Sequence, residues 1–256
     1  MNKPNPSWYK QIWSLNIQDS SWVEHTNSEV DFIIDIMNLS GTERILDLAC
    51  GFGRHAIELS KRGYSVVGVD ITPDYIKEAL RISSREKLNA NFICTDLRNV
   101  SFKNEFDIVL NMADGAIGYL ENDAENLKIF DVIATALKTG GRHFMNICNA
   151  EHAEMHFPKR NWDIGETELS LPEFHWDKET RRMLYGGWSL KFGELAEKPR
   201  FEEFAPHSSI RLYSLNEIAD IFKSRQMVIK NTFGKFDKSI PASSKEMQLL
   251  IYSQKL

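Results

Sequence analysis

The stretch Ile45-Leu46-Asp47-Leu48-Ala49-Cys50-Gly51-Phe52-Gly53-Arg54-His55 decides the reading of this chain. An apolar run reads as a buried strand, Asp47 stands at its end, Gly51 and Gly53 form a tight turn, and a helix starts after it. A second apolar run, Val66-Val67-Gly68-Val69, ends in Asp70. Together the two runs describe a nucleoside pocket at the lip of a parallel sheet.

Gly51-Phe52-Gly53-Arg54-His55-Ala56 fits the dinucleotide pattern G-x-G-x-x-G/A, and Asp70 lies where a ribose-binding acid falls. Glycine lets the backbone approach a ligand closely, and Asp70 can accept hydrogen bonds from both ribose hydroxyls. To this point NAD and S-adenosylmethionine are served equally well. Asp47, four residues before Gly51, separates them. A pyrophosphate docks on the positive N-terminus of a helix, and a nearby carboxylate opposes it. S-adenosylmethionine carries no phosphate, only an ammonium and a sulfonium, so the acidic lip favours it.

Outward from this centre, strands and helices alternate. The first 26 residues are rich in aromatics (Trp8, Tyr9, Trp13, Trp22). Asn27-Ser28 is the expected cap of a helix running to Leu39, ended by Gly41. Strands are expected at 44–48, 65–70, 91–94, 106–111 and 142–148, and helices at 53–62, 74–88 and 123–137. Such alternation implies right-handed crossovers and a parallel sheet covered on both faces. Residues 149–212 break the pattern and read as a small antiparallel insertion with a turn at Asp177-Lys178-Glu179-Thr180. Ser214-Leu215-Asn216-Glu217 has the spacing of a capping box. Two closing strands, 226–233 and 247–254, are joined through Gly234 and Pro241 and suit an antiparallel pair. The expected organisation is an N-terminal helical lid (1–40), a cofactor-binding core (41–148), the insertion on the acceptor side (149–212) and a return to the core sheet (213–256).

Five segments, in order, resemble the motifs of class I S-adenosylmethionine-dependent methyltransferases. Leu46-Asp47-Leu48-Ala49-Cys50-Gly51-Phe52-Gly53 resembles the first motif. Val69-Asp70-Ile71 resembles the ribose-binding acid, and Thr95-Asp96-Leu97 the segment whose acid reaches the adenine amino group. Phe106-Asp107-Ile108-Val109-Leu110-Asn111 resembles the fourth strand, and Leu137-Lys138-Thr139-Gly140-Gly141 the turn before the fifth. The resemblance implies an α/β, Rossmann-like, doubly wound seven-stranded sheet with an antiparallel last strand, plus the small antiparallel β insertion. It implies S-adenosyl-L-methionine as cofactor and S-adenosyl-L-homocysteine as product. The implied cofactor-binding residues are Asp47, Ala49, Cys50, Gly51, Gly53, Asp70, Ile71, Asp96, Leu97 and Asn111.

Methyl transfer is an in-line displacement with an uncharged leaving group. The protein mainly has to align the reactants and keep water out. Candidates for this role follow the fourth strand, where Ile117-Gly118-Tyr119-Leu120 is similar to a segment of sugar amine N-methyltransferases. Those enzymes place a histidine where this chain has Tyr119. In the same enzymes an aromatic N-terminal segment covers the cofactor, which makes Tyr9 the second catalytic candidate. The implied reaction is methylation of nitrogen or oxygen on a small-molecule acceptor. Alternatives are a protein or RNA methyltransferase, an NAD-dependent dehydrogenase, and a binding protein without turnover.

Composition narrows the classes further. A chain of 256 residues with 42% hydrophobic and 26% charged residues is ordinary for a globular protein. A net charge of −5 disfavours a large nucleic-acid footprint. No apolar run is long enough to cross a bilayer, and the first residues lack a signal-peptide core, so a cytoplasmic protein is expected. Cys50, Cys94 and Cys148 are widely spaced and are expected as reduced thiols. His152 and His156 share a helical spacing with no third ligand in view, so no metal is expected. The oligomeric state is left open by the sequence.

Overall fold

The computed structural model describes residues 4–195 and 206–256. Residues 1–3 of the expected lid and 196–205 of the expected insertion lie outside the described residues. In chain order the main sheet is built from β1 (Arg44–Leu48), β2 (Ser65–Asp70), β3 (Ala90–Cys94), β4 (Phe106–Asn111), β5 (Leu137–Cys148), β11 (Met227–Phe233) and β12 (Gln248–Lys255). Their spatial order is β11-β12-β5-β4-β1-β2-β3. β1 runs parallel to both β2 and β4, and β12 runs antiparallel to both β5 and β11. The strand order reverses between β1 and β4, and ligands of open α/β sheets bind in the crevice at that point.

The period-two pattern of the strands divides the core in two. Ile45, Ile108, Leu110 and Phe144 point to one face and pack with α1 (Thr26–Met37), α2 (Arg54–Lys61) and α3 (Pro73–Glu86) through Ile33, Leu59 and Ile76. Leu46, Val69, Val109 and Met145 point to the other and pack with α4 (Asp123–Ala136) and α6 (Leu215–Lys223) through Phe130 and Phe222. The doubly wound sheet with a reversed last strand is therefore as the sequence implies.

Three local expectations are corrected. α1 begins at Thr26, whose hydroxyl donates to the Val23 carbonyl, so Asn27 and Ser28 lie inside the first turn. It ends at Asn38 in the left-handed region (φ 49°), three residues before Gly41. β5 starts at Leu137, so Gly140 and Gly141, expected in a turn, lie within the strand; a register shift between Phe106 and Ile108 accommodates them. Third, residues 149–212 open with a helix, α5 (Ala150–His156), before the antiparallel strands.

Those strands are β6 (Lys159–Arg160), β7 (Asp163–Ile164), β8 (Glu168–Asp177), β9 (Arg182–Lys191) and β10 (Ser208–Arg211). They form a second sheet of order β10-β9-β8-β6, with β7 also on β8. The β8–β9 turn is closed by Asp177, which accepts from the Glu179 and Thr180 amides. Ser214 and Glu217 form the expected capping box of α6. Ahead of α1, the N-terminal segment is three short 3-10 helices, Trp8–Lys10, Leu15–Asp19 and Ser21–His25.

Candidate active site

The turn after β1 builds the floor of the site. Ala49 (φ 55°) and Gly51 (φ 57°) are left-handed, and the Cys50 amide donates to the Val69 carbonyl, fastening the turn to β2. Asp70 completes the clamp: one carboxylate oxygen accepts from the Gly51 amide at 2.9 Å and the other from the Thr72 amide at 2.8 Å. Each oxygen keeps a lone pair for a ligand hydroxyl. Gly53 (φ 83°) serves packing. A Cβ there would stand 2.8 Å from the Phe92 ring and 3.1 Å from Ala79, where α2 crosses β3 and α3.

Asp47 lies at the end of β1 with 1% of its surface exposed, and neither carboxylate oxygen has a hydrogen-bond partner among the described residues. Burial pushes its carboxyl up to about 7, with Asp70 adding to the shift and with Arg54 and the Ala56 amide, which lies near without completing a hydrogen bond, opposing it. Arg54 is itself spent: it contacts the buried Glu29 at 2.5 Å and the Thr26 hydroxyl at 2.9 Å. His55 shares the same Glu29 oxygen at 2.8 Å, and burial and the Arg54 charge hold its imidazole down at about 4, hence neutral. An unpaired buried carboxylate is costly to keep, and this one faces a cavity.

That cavity, with the open space at its mouth included, measures about 960 Å³. Asp47, Ala49, Cys50, Gly51, Asp70, Ile71, Asp96 and Leu97 all line it, as do both candidate tyrosines. Gly53 and Asn111 do not. Asn111 is fully buried; its side chain donates to the Gly115 carbonyl at 2.9 Å and meets His143 at 3.2 Å. It holds the loop after β4 in place.

At the rim, Arg98 gathers Asp96, Glu121 and Glu125 at 2.6, 3.3 and 2.7 Å. Tyr9 donates to Glu121 at 2.8 Å, which ties the N-terminal segment to this cluster. Further ties come from Tyr75, donating to the Ser14 carbonyl, and from the Trp8 indole, donating to the Ser209 carbonyl. Trp13, Ile17 and Trp22 of the same segment line the cavity. None of the described lining residues comes from 149–212, the region expected on the acceptor side.

The loop after β4 holds the feature that the sequence conceals. Ala113, Asp114, Gly115 and Ala116 have φ of 50°, 68°, 51° and 61°, a full left-handed turn. Left-handed conformations cost an L-residue roughly 1–2 kcal/mol each, and three of these four are not glycine. The turn is pinned by bonds from the Asp114 amide to the Asn146 carbonyl (2.8 Å) and from the Cys148 amide to the Asp114 carboxylate (3.0 Å). Strain of this kind collects at functional sites. It leads directly into Tyr119, whose ring lies 4.9 Å from Trp8 and stacks on Trp13 at 6.0 Å. Asp114 is absent from the sequence-derived candidates: Asp114-Gly115 marks a turn, but nothing in Ala113 or Ala116 announces the left-handed conformation that the fold imposes on both.

His152 and His156 sit 4.4 Å apart by ring centroid, with His152 bonded to the Ser244 carbonyl. Among the described residues no group of three metal-ligating side chains converges, and no helix is long and apolar enough to cross a membrane.

The seven-stranded sheet with its last strand reversed carries an acidic pocket at its switch point, the arrangement expected from the resemblance to class I S-adenosylmethionine-dependent methyltransferases. Residues 45–141 match the family model described as a methyltransferase domain. A putative methyltransferase of Bacillus subtilis is 32% identical over 129 residues, 50% of this chain and 51% of that protein. The chain spans about half the length of the curated relatives it matches. Among solved structures, an S-adenosylmethionine-dependent methyltransferase from Clostridium acetobutylicum superposes with a TM-score of 0.72 at 17% identity, covering 94% of this chain and 96% of that one. An amino pentose methyltransferase from Micromonospora echinaspora gives 0.59 at 14% identity, covering 98% and 95%. At these identities the likeness to solved structures is one of fold.

Proposed function

We propose that this protein transfers a methyl group from S-adenosylmethionine to nitrogen or oxygen of a small-molecule acceptor. The observation that carries the reading is Asp47, a buried carboxylate with both oxygens unpartnered at the edge of the cavity. Such a group calls for a cationic hydrogen-bond donor, which the ammonium of S-adenosylmethionine supplies and a diphosphate does not.

The residues present fit the rest of that molecule. Asp70 would take the ribose hydroxyls on the lone pairs left by Gly51 and Thr72. Asp96 and Leu97 would take the adenine, although Arg98 already occupies most of the Asp96 carboxylate. Bound there, S-adenosylmethionine supplies a methyl carbon activated by its sulfonium. Tyr9 and Trp13 close the mouth against water, and Tyr119 meets the acceptor from the strained loop. Among the described residues, Arg54 in the lining is neutralised by Glu29 and Arg98 at the rim by Asp96, Glu121 and Glu125, so an acceptor bearing phosphate or carboxylate finds little to hold it. The amino pentose methyltransferase of similar fold supports a small amine-bearing acceptor.

Calorimetric titration with S-adenosylhomocysteine and with NAD tests the cofactor, and labelled S-adenosylmethionine with a panel of amines, alcohols, peptides and RNA tests the acceptor. The expected result is binding of S-adenosylhomocysteine, no binding of NAD, and label on a small molecule. Tight NAD binding, or label on peptide or RNA alone, would overturn it.

A further inference from the structure

Two tyrosines of the cavity each hold a carboxylate, and the two carboxylates differ in what they can accept. Tyr9 donates to Glu121 at 2.8 Å, but Glu121 also lies 3.3 Å from Arg98. Against the upward push of burial, its own amide, the Tyr9 hydroxyl and the Arg98 charge hold the Glu121 carboxyl below the usual range. A carboxylate so held stays ionised. Tyr119 places its hydroxyl 3.4 Å from Asp114, which forms no ion pair among the described residues. Burial raises the Asp114 carboxyl above its usual range, against the opposing bonds from Cys148 and Tyr119. The groups that face this pair are the Cys148 thiol at the end of β5 and, at longer range from Tyr119, the Asp70 carboxylate; Trp8 and Trp13 cover the phenol ring and carry no charge.

Resting on the methyltransferase reading, we infer that Asp114 is the proton acceptor of the site, reached through the Tyr119 hydroxyl, and that the acceptor substrate is an aliphatic amine bound as its ammonium. An ammonium has no lone pair to give a methyl carbon, and an aliphatic amine is largely protonated near neutral pH. One proton must leave first. The acceptor N–H bond breaks as an O–H bond forms at Tyr119 Oη, and the original Tyr119 proton passes to Asp114 Oδ2. Tyr119 ends as a neutral phenol, Asp114 as a neutral acid, and the amine as a neutral nucleophile. One positive and one negative charge cancel, and no further reactant is consumed. Tyr119 spends its single proton on Asp114, so toward the substrate it can only accept.

Asp114→Asn tests the inference, since asparagine keeps the bond from the Cys148 amide and tolerates φ of 68°. Tyr119→Phe is the second variant, and a panel of aliphatic amines, amino sugars included, is the probe. Both variants should bind S-adenosylhomocysteine within about twofold of wild type by calorimetry. Their kcat/KM for amines at neutral pH should fall by about 100-fold or more, the scale of general-base catalysis. The deficit should shrink tenfold per pH unit toward the amine's own pKa, and the double variant should be no worse than either single one. By carbon-13 NMR, the Asp114 carboxyl should titrate above the ordinary carboxylate range and shift in Tyr119→Phe. A pH-independent deficit, an unaltered pH profile, or an ordinary Asp114 titration overturns the proton path while leaving the methyltransferase reading intact. A wild-type protein that binds S-adenosylhomocysteine and methylates only alcohols overturns the amine assignment. One that binds no S-adenosylhomocysteine overturns the reading beneath both.

Discussion

The substitution Asp47→Asn should make the unliganded protein more stable and a poorer binder at once. The fold raises this carboxyl from 3.8 to about 7 because it is buried without a partner. The folded chain therefore binds the proton more tightly than the unfolded chain. As pH rises from about 4 to about 7 the unfolded state ionises freely while the folded state resists, so stability falls over that window. At 1.36 kcal/mol per pKa unit the penalty approaches about 4 kcal/mol above pH 7, an upper limit because proteins relax around buried charges. The asparagine side chain is isosteric and has no charge to bury. Urea unfolding at pH 8 should show the variant about 1–4 kcal/mol more stable than wild type, at pH 5 the gap should shrink to less than about half of that, and near pH 4 it should nearly close. The ligand experiment should go the other way. Loss of one charge-assisted hydrogen bond to the ligand ammonium, about 1.5–3 kcal/mol, weakens S-adenosylhomocysteine by about 10- to 150-fold. A variant that is less stable at pH 8, or whose stability gap is the same at pH 5 and pH 8, would refute the account of Asp47 as an unpaired buried charge. Unchanged affinity would refute its place in the cofactor seat.

Other perturbations follow from the same geometry. Gly53→Ala puts a Cβ 2.8 Å from the Phe92 ring at φ 83°, so overpacking and backbone strain together should cost about 2–4 kcal/mol, read as a lowered Tm. Tyr9→Phe removes the bond to Glu121 and should weaken S-adenosylhomocysteine by at most the value of one such bond, about 1.5–3 kcal/mol, in calorimetry. Unlike Tyr119→Phe, it should leave the pH dependence of kcat/KM unchanged. Burial pushes the Glu43 carboxyl up, but the Ser40 and Glu43 amides and Arg142 outweigh it and hold it at about 2. Its folded pKa is depressed, so its contribution is present above about pH 4.5 and is lost on acidification toward pH 2. Glu43→Gln should cost about 1–2 kcal/mol at pH 7 after allowance for solvent screening, and nothing near pH 2.

What is legible in the sequence is what short-range pattern encodes. The run from Ile45 to Leu48 alternates between two cores, and Asp70 ends a second such run, so the sheet and its acidic lip can be read directly. The capping box at Ser214 and Glu217 is equally local. Gly53 reads as a ligand-approach residue because the turn pattern does not tell a glycine facing a ligand from one facing Phe92. Asn111 sits at the right end of the right strand, yet its side chain turns into the protein toward His143, 32 residues away in sequence. Arg98 escapes a sequence reading because its value lies in joining Asp96, Glu121, Glu125 and Tyr9, which only the fold brings together. Asp114 escapes it for the reason given by its backbone: Ala113 and Ala116 have no preference for the left-handed region, and tertiary bonds force them there.

Those tertiary bonds explain why a second sheet accompanies a site it does not line. The Gly118 carbonyl, one residue before Tyr119, accepts from the Arg211 amide at 2.8 Å and from the Arg182 guanidinium at 3.2 Å. Both residues belong to the accessory sheet, in β10 and β9. A Cβ at Gly118 would stand 1.9 Å from the Arg211 carbonyl, so the two backbones touch only because this position is glycine. The Ser209 carbonyl, on the same strand as Arg211, receives both the Trp8 indole and the Arg182 side chain. One edge of the accessory sheet thus fixes the loop that carries Tyr119 and the N-terminal segment that carries Tyr9. A left-handed turn of alanine and aspartate is unstable on its own and persists only where its surroundings over-determine it. β9 and β10 bind its downstream end, as β5 binds its start through Asn146 and Cys148. The strain in Ala113–Ala116 is therefore balanced across two sheets, and the position of the Tyr119 hydroxyl depends on both.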